Sequence, residues 1–316
     1  MVTLQAIENA LPADAASRPL VRAMYGGNEW LMKPMLEFLT PEALPGYAAT
    51  VERIWRVMRQ VRPTDEKQRI DEAIKGLQFH SMEFLKLQMK FAKTGEYKSQ
   101  DFDAVYQQVY GSGDVMRRYL DGLLLTYVAW PNHYRLLNYY EQDYLAHGPR
   151  GRCLEIGPGH GWLALRQLES DPANTLVGLD VSPHSVAYTN QLLAAAGVDR
   201  TRYEVKEHDA LRGGVGAGRP FDRIVIAEVL EHLPDPRAMM NKLVAAAHPR
   251  TLFFVTTVVN IEAPDHIYLF RELEEVRALL RECGLEVTGE LDLPLKMNLP
   301  LPRPAYEVAL VCRPAA

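Results

Sequence analysis

Apolar residues recur at helical spacing through residues 1–148. Shorter stripes predict helices over 47–60, 101–110, 114–128 and 132–147, and a longer stripe predicts one over 64–93. Thr64 is only a partial start signal for that helix, because Lys67 stands where a capping box has Glu or Gln, and Gly95 is a plausible stop. No segment here alternates as a strand does. We therefore predict an all-helical first domain spanning 1–148.

The pattern of apolar positions changes from residue 149 onward, where short apolar runs alternate with helical patterns. Helices are expected after Gly161 and over 185–196 and 273–283. Strands are expected over 152–156, 175–180, 203–205, 223–227, 251–257, 285–291 and 306–312. This alternation predicts a mostly parallel sheet of seven strands covered on both faces, which is an α/β fold, as a second domain spanning 149–316.

The first of these strands runs into Glu155-Ile-Gly157-Pro-Gly159-His-Gly161, and a helical pattern follows from Trp162. Glycines at alternate positions let the backbone turn tightly and approach a ligand closely. Strand, glycine turn and helix together open a nucleotide-binding βαβ unit. The spacing is not that of dinucleotide sites, which have Gly-x-Gly-x-x-Gly.

Acidic residues follow the next strands. Asp180 ends the second strand, 23 residues after Gly157, where a carboxylate can accept hydrogen bonds from both hydroxyls of a ribose. Ser182 is the better cap for the helix that follows. After the fourth strand comes Glu228-Val-Leu-Glu231-His232-Leu. Together these residues predict a nucleoside site at the carboxyl edge of the sheet.

The glycine turn resembles motif I of the class I S-adenosylmethionine (SAM) methyltransferases, and the Glu-x-x-Glu-His-Leu segment resembles their motif IV in enzymes of the ubiquinone-biosynthesis type. The likeness covers 151–312 and implies a Rossmann-like sheet in the order 3-2-1-4-5-7-6. It also implies that SAM is the cofactor. The cofactor-binding set expected on this basis is Glu155 (facing the methionine portion), Gly157, Gly159, Gly161, Asp180, Val181, Asp209 (accepting from the adenine amino group), Ala210, Glu228 and Tyr134.

The helices ahead of motif I often close over the cofactor in methyltransferases of this build. The resemblance therefore makes Tyr127, Trp130, His133 and Tyr134 candidates for a lid that shapes the acceptor pocket. Stripes of aromatic residues are more often plain core, and that alternative stays open.

Methyl transfer needs a base that removes a proton from the acceptor, and imidazole is suited to this. His266 is the first candidate and His232 the second. If 228–232 is helical, then Glu228, Glu231 and His232 share one face. With His266 they match, residue by residue, a metal-binding set of the RNA 3′-end 2′-O-methyltransferases, which implies a divalent metal. The alternative is that Glu228 closes the cofactor pocket, His232 makes a structural hydrogen bond and His266 alone faces the acceptor.

Charge and composition indicate which partners and which location to expect for the protein. Net charge is −5, which argues mildly against a nucleic-acid partner. No apolar run approaches the length of a membrane span, no secretory signal is expected at the N-terminus, and the three dispersed cysteines read as buried core. We therefore expect a cytoplasmic protein without a membrane partner, and a homodimer stays open.

The function predicted from the sequence is SAM-dependent O- or N-methylation of a small specialised metabolite or amino-acid derivative. Three alternatives remain open. The cofactor's own α-amine could attack its γ-carbon, releasing methylthioadenosine and a four-membered cyclic amino acid. The acceptor could be RNA, or the protein could bind SAM without catalysis.

Overall fold

The structure is a computed structural model that describes residues 2–97, 113–216, 218–296, 301 and 303–315. Its centre is a seven-stranded sheet in the order β3-β2-β1-β4-β5-β7-β6, as the sequence predicts. β7 runs antiparallel to both of its neighbours, and the other pairs are parallel. The strands are β1 Arg152–Ile156, β2 Thr175–Asp180, β3 Tyr203–Glu207, β4 Phe221–Ala227, β5 Ala247–Val259, β6 Leu285–Pro294 and β7 Tyr306–Pro314.

Helices precede the sheet and cover both of its faces. In the first half they are α1 Leu4–Ala10, α2 Arg18–Gly27, α3 Glu29–Phe38, α4 Leu44–Val61, α5 Glu66–Thr94, α6 Gly113–Ala129 and α7 Pro131–Tyr139. In the second half they are α8 Trp162–Ser170, α9 Pro183–Ala195, α10 Ala210–Gly213, α11 Pro236–Ala245 and α12 Leu273–Glu282. The described part of 1–148 contains no strand, as predicted. The predicted helix over 101–110 lies outside the described residues.

The ends of α5 show how local chemistry sets helix limits. Asp65, not Thr64, caps its start, because the Asp65 carboxylate accepts a hydrogen bond from the Gln68 N–H at 3.0 Å. The expectation for Thr64 was therefore wrong by one residue. Gly95 ends the helix at φ +68°, a left-handed conformation that glycine adopts without steric cost, as predicted.

The single helix predicted over 132–147 is interrupted. α7 ends at Tyr139 and the chain continues as a π-helical turn over Tyr140–Leu145. The wider turn lets Tyr140 and Tyr144 stack with ring centroids 5.3 Å apart, and both rings contact Phe254 of β5. The spacing of apolar residues cannot predict this π-helical turn, because the turn depends on packing against the surface of the sheet.

A buried ionic cluster joins the helices to the α/β half of the chain. Asp121 of α6 is 1% exposed and accepts two hydrogen bonds from the Arg69 guanidinium, each of 2.9 Å. It also accepts from Arg62 and, at 2.8 Å, from the Tyr188 hydroxyl of α9. The positive charges of two guanidinium groups thus balance the charge of the buried carboxylate, because a buried charge without a partner is strongly destabilising.

The apolar core is likewise continuous between the two halves. One cluster of buried side chains runs from Ile7 and Trp55 through Trp162 to Phe254 on the sheet. A second cluster covers the opposite face, around Phe253 and Leu280. The division at 148/149 therefore stays a prediction. In the described parts of the chain no helix is long and apolar enough to cross a membrane.

Candidate active site

The glycine turn after β1 lies against β2. The Gly157 N–H donates to the Leu179 carbonyl at 2.8 Å, and the Gly159 N–H donates to Asp180 Oδ2 at 3.1 Å. Gly157, Gly159 and Gly161 have φ of +65°, +55° and +76°, a region that side chains disfavour. The sequence therefore forms this turn only because glycine occupies all three positions.

The three glycines have different surroundings. A Cβ on Gly159 would find its nearest protein atoms 3.9–4.0 Å away, and this residue lines the cavity above the sheet. A Cβ on Gly161 would instead lie 2.7 Å from Thr189 Cγ2. Gly161 does not line the cavity, so its place in the expected cofactor set is corrected to one of close packing between turn and helix.

Asp180 is positioned by the backbone of two turns. Its Oδ2 accepts from Gly159 N–H, and its Oδ1 accepts from the Ser182 N–H at 2.9 Å. Burial raises the pKa of this carboxyl to about 6, against the lowering effect of those two hydrogen bonds. Asp180 and Val181 both line the cavity. Each oxygen keeps further lone pairs, so the carboxylate can still accept from a vicinal diol.

Asp209 also lines the cavity, but one oxygen of its carboxylate has a structural role. Its Oδ1 caps α10 by accepting from the Leu211 N–H at 2.9 Å and the Arg212 N–H at 3.0 Å. Ala210 lies beside it in the lining. One carboxylate oxygen is therefore largely committed, which the sequence did not indicate.

Two further carboxylates are buried at the same cavity. Glu155 of β1 accepts from Gln167 Nε2 at 2.9 Å, and burial raises its pKa to about 8. Glu228 accepts from the Thr256 hydroxyl at 2.6 Å, and burial together with the neighbouring Glu231 raises its pKa to about 8. Buried acids without a matching cation disfavour their charged forms, so this site favours a positively charged ligand.

The segment after β4 is not the helix on which one prediction depended. Glu228 has φ +52°, which is a strained backbone conformation for a residue other than glycine. In this segment only Leu230–His232 is helical, as a short 3₁₀ turn. The expectation that Glu228, Glu231 and His232 share a helical face was therefore wrong. Glu231 accepts from the Thr257 hydroxyl at 2.7 Å, and its carboxyl also contacts that of Glu228.

The two candidate histidines do come together. Their ring centroids are 4.9 Å apart, and both line the cavity. His232 Nδ1 lies 2.9 Å from the Asp265 carbonyl and His266 Nδ1 lies 2.8 Å from the Ile261 carbonyl. A carbonyl only accepts, so both Nδ1 atoms carry a proton. Burial, with His232 nearby, lowers the pKa of His266 to about 3 and keeps it neutral.

Glu231 completes a possible ligand set with these histidines. Ligand atoms of Glu231, His232 and His266 lie within 4.8 Å of one another, and Glu228 is not part of this group. Glu231 Oε1 is buried and has no hydrogen-bond partner among the described residues. Three of the four residues expected for a metal are thus assembled.

Four residues were predicted as lid candidates, and this role stays a prediction. Tyr127, Trp130 and His133 line the cavity. Tyr134 does not, and packs instead against Tyr47 and Phe38 with centroids 5.5 and 6.3 Å away. Successive helical residues point about 100° apart, so His133 and Tyr134 cannot share a face. Its expected place in the cofactor set is corrected accordingly.

Several lining residues escaped the sequence analysis. His80 and Phe84 of α5 are four positions apart and hold Trp130 between them, with centroids at 5.3 and 5.1 Å. Their spacing of four residues indicated a shared helical face, but the sequence did not show that this face lies against the cavity. Glu307 of β7 also lines the cavity, and it becomes part of the site only through the sheet order.

Comparison with known proteins agrees with this geometry. Residues 154–253 match a family described as a methyltransferase domain. Ubiquinone biosynthesis O-methyltransferase of Escherichia coli O139:H28 (strain E24377A / ETEC) is 29% identical over 109 residues, which make up 34% of this chain and 42% of that protein. The chain thus spans about two fifths of the length of the curated relatives it matches. Residues 154–253, which include the glycine turn, are therefore similar to a methyltransferase domain.

Solved structures similar to this chain include two methyltransferases. The N-methyltransferase NodS from Bradyrhizobium japonicum WM9, in complex with S-adenosyl-L-homocysteine (SAH), is 16% identical. That match covers 68% of this chain and 100% of NodS, with a TM-score of 0.49. The mitomycin 7-O-methyltransferase MmcR is also 16% identical, covering 89% of this chain and 75% of MmcR, with a TM-score of 0.49.

Proposed function

We propose that the protein transfers the methyl group of SAM to an oxygen or nitrogen of a small acceptor. The observation that carries this proposal is the juxtaposition of Asp180, held by two backbone N–H groups, with the glycine turn and two buried carboxylates. The diol of a ribose and the charge of a sulfonium are the partners that such groups recognise.

A small acceptor is supported by the shape and lining of the cavity. It measures about 260 Å³ and is enclosed by α5, α6 and α7 on the side facing the sheet edge. Aromatic side chains form much of that cover, among them Phe84, Tyr119 and Trp130. A polymer such as RNA would need an open basic groove, and the chain carries a net charge of −5.

Catalysis then needs little beyond alignment and a proton acceptor, because the sulfonium is already an electrophile. The neutral His266 imidazole, with its proton on Nδ1, offers the lone pair of Nε2 as an acceptor at the cavity wall. We assign His266 as the base and His232 as its support. His266→Ala should then lower turnover strongly and leave SAM affinity unchanged, since the hydrogen bond of His266 goes to the Ile261 carbonyl and not to Asp180 or the glycine turn.

In a second candidate for the same function, methyl transfer also uses a divalent cation that Glu231, His232 and His266 hold. The specific observation in its favour is that both imidazoles have Nδ1 fixed by carbonyls, which is how second-shell groups orient metal ligands. The unpartnered Glu231 Oε1 supplies the carboxylate. Such a cation would act as a Lewis acid on an acceptor oxygen. Metal content that is unchanged in His232→Ala would remove this version.

The experiment is incubation of the purified protein with SAM alone and then with small amines and alcohols, followed by mass analysis of the nucleoside product. SAH with a methylated acceptor is expected. Methylthioadenosine would establish the cyclisation instead, and SAM that is bound but unchanged in every reaction would indicate a non-catalytic binding protein. The free, buried cysteines fit a cytoplasmic location, which fractionation can test.

A further inference from the structure

Glu307 is a buried acid that neither the cofactor set nor the candidate bases explain. It lies near the start of β7, paired with Val258 of β5, and lines the cavity while only 4% exposed. Its Oε2 is buried and has no hydrogen-bond partner among the described residues. Burial and the nearby Glu228 raise the pKa of this carboxyl well above its usual value. A buried acceptor without a partner, on a residue that lines a cavity, points to a ligand that donates.

His133 fixes the other side of Glu307. The Thr126 hydroxyl donates to the Leu123 carbonyl at 2.6 Å, so Thr126 Oγ1 can accept from His133 Nδ1, also at 2.6 Å. His133 Nδ1 therefore carries the proton, and Nε2 presents its lone pair 3.6 Å from Glu307 Oε1. Burial lowers the pKa of His133 to about 3, so the ring stays neutral.

Aromatic rings surround this pair. Trp130 and Tyr127 contact the His133 ring with centroids at 4.9 and 6.2 Å. Aromatic faces and a carboxylate are the two kinds of group that recognise an alkylammonium ion. Glu155, Glu228, Glu307 and Tyr127 line the same cavity, and the three acids add to the effect of burial in raising the pKa of Tyr127. The ammonium site therefore adjoins the acids expected at the sulfonium end of SAM.

We propose that Glu307, supported by His133, binds an aliphatic amine as its ammonium ion and takes its proton as the amine attacks a carbon bonded to the sulfonium. This inference rests on the proposed SAM-dependent function and narrows it to amine chemistry, in which Glu307 replaces His266 as the group that accepts the proton. The amine belongs either to a second substrate or to SAM itself, and the chemistry at Glu307 is the same.

The step balances in both cases. The ammonium gives one proton to the Glu307 carboxylate, and the resulting acid donates it in a hydrogen bond to His133 Nε2. The nitrogen lone pair forms an N–C bond, the C–S bond breaks, and its electron pair stays on sulfur as a neutral thioether. Attack on the methyl carbon yields SAH and an N-methylated amine. Attack on the γ-carbon by the cofactor's own amine yields methylthioadenosine and a four-membered ring.

The test measures binding, so it does not depend on turnover. SAH, its deaminated analogue and n-butylammonium in the presence of SAH are titrated into the wild-type protein and Glu307→Gln. If the amine is the cofactor's own, the variant binds SAH about 10- to 100-fold more weakly, as expected for a hydrogen bond to a charged group, and binds the deaminated analogue normally. If it is a second substrate's, the variant keeps its SAH affinity and loses n-butylammonium by a similar factor.

Glu286→Gln is the matched control, because Glu286 is exposed on the neighbouring β6. Glu307→Asp, which keeps the charge, should retain more of the affected affinity than Glu307→Gln, so that a general loss of folding is recognised. Unchanged affinity of Glu307→Gln for both SAH and n-butylammonium overturns the inference and leaves the proposed function standing. Failure of the wild-type protein to bind SAH overturns the proposed function itself.

Discussion

Asparagine at position 180 keeps the shape of the aspartate but replaces one acceptor oxygen with an NH₂ group. Both oxygens of Asp180 accept backbone hydrogen bonds, from Gly159 at 3.1 Å and from Ser182 at 2.9 Å. The NH₂ group of the variant must therefore face one of these N–H groups or the ribose. A lost hydrogen bond to a charged acceptor costs about 1.5–3 kcal/mol. The dissociation constant for SAH should then rise about 10- to 150-fold.

Isothermal titration calorimetry with SAH measures this change, and thermal unfolding without ligand shows whether the turn itself is damaged. Asp235→Asn is the matched control. Asp235 caps α11 by accepting from the Ala238 N–H at 2.9 Å, a position where asparagine serves about equally well. The control should bind SAH as the wild type does. Wild-type SAH affinity in Asp180→Asn would refute the assignment of this carboxylate to the ribose.

Three further predictions concern the rest of the site and its support. Gly161→Ala should cost about 2–4 kcal/mol of unfolding free energy, because the residue is left-handed and its Cβ would meet Thr189; an unchanged melting temperature would contradict this. The pKa values of Glu155 and Glu228 are raised to about 8 from 4.5, so ligand-free stability should fall as pH rises from about 4.5 through about 8. Over the same pH range, calorimetry should show that the affinity for SAM rises relative to the affinity for SAH, whose sulfur is uncharged. A ratio of the two affinities that does not change with pH would contradict the proposed role of Glu155 and Glu228. Asp121→Asn should cost about 3–5 kcal/mol in urea unfolding, because two guanidinium groups lose their carboxylate, and a loss below about 1 kcal/mol would be inconsistent with the cluster.

The fold was accessible from the sequence because its signals are local. A buried strand, alternate glycines and an acid at the tip of the next strand lie within 30 residues, Arg152 to Asp180. The strand order itself was implied by the resemblance that these residues carry, and short right-handed connections limit the alternatives. Helix limits were less secure, since Asp65 and Thr64 are both capping residues and only the backbone geometry distinguishes them.

The site was only partly accessible, because its other contributors depend on how helices rotate and strands pair. Tyr134 was assigned to the cavity with His133, yet a rotation of about 100° between neighbours separates them. Glu307 carries no local signal at all. It enters the cavity because β7 inserts between β5 and β6, which places the start of β7 beside the end of β5.

If the glycine turn and the acids around it bind SAM, calorimetric titration of the intact, ligand-free protein with SAM should show saturable binding of one SAM per chain, and SAH should compete with it. Absence of binding heat and of any thermal stabilisation by either nucleoside would contradict it.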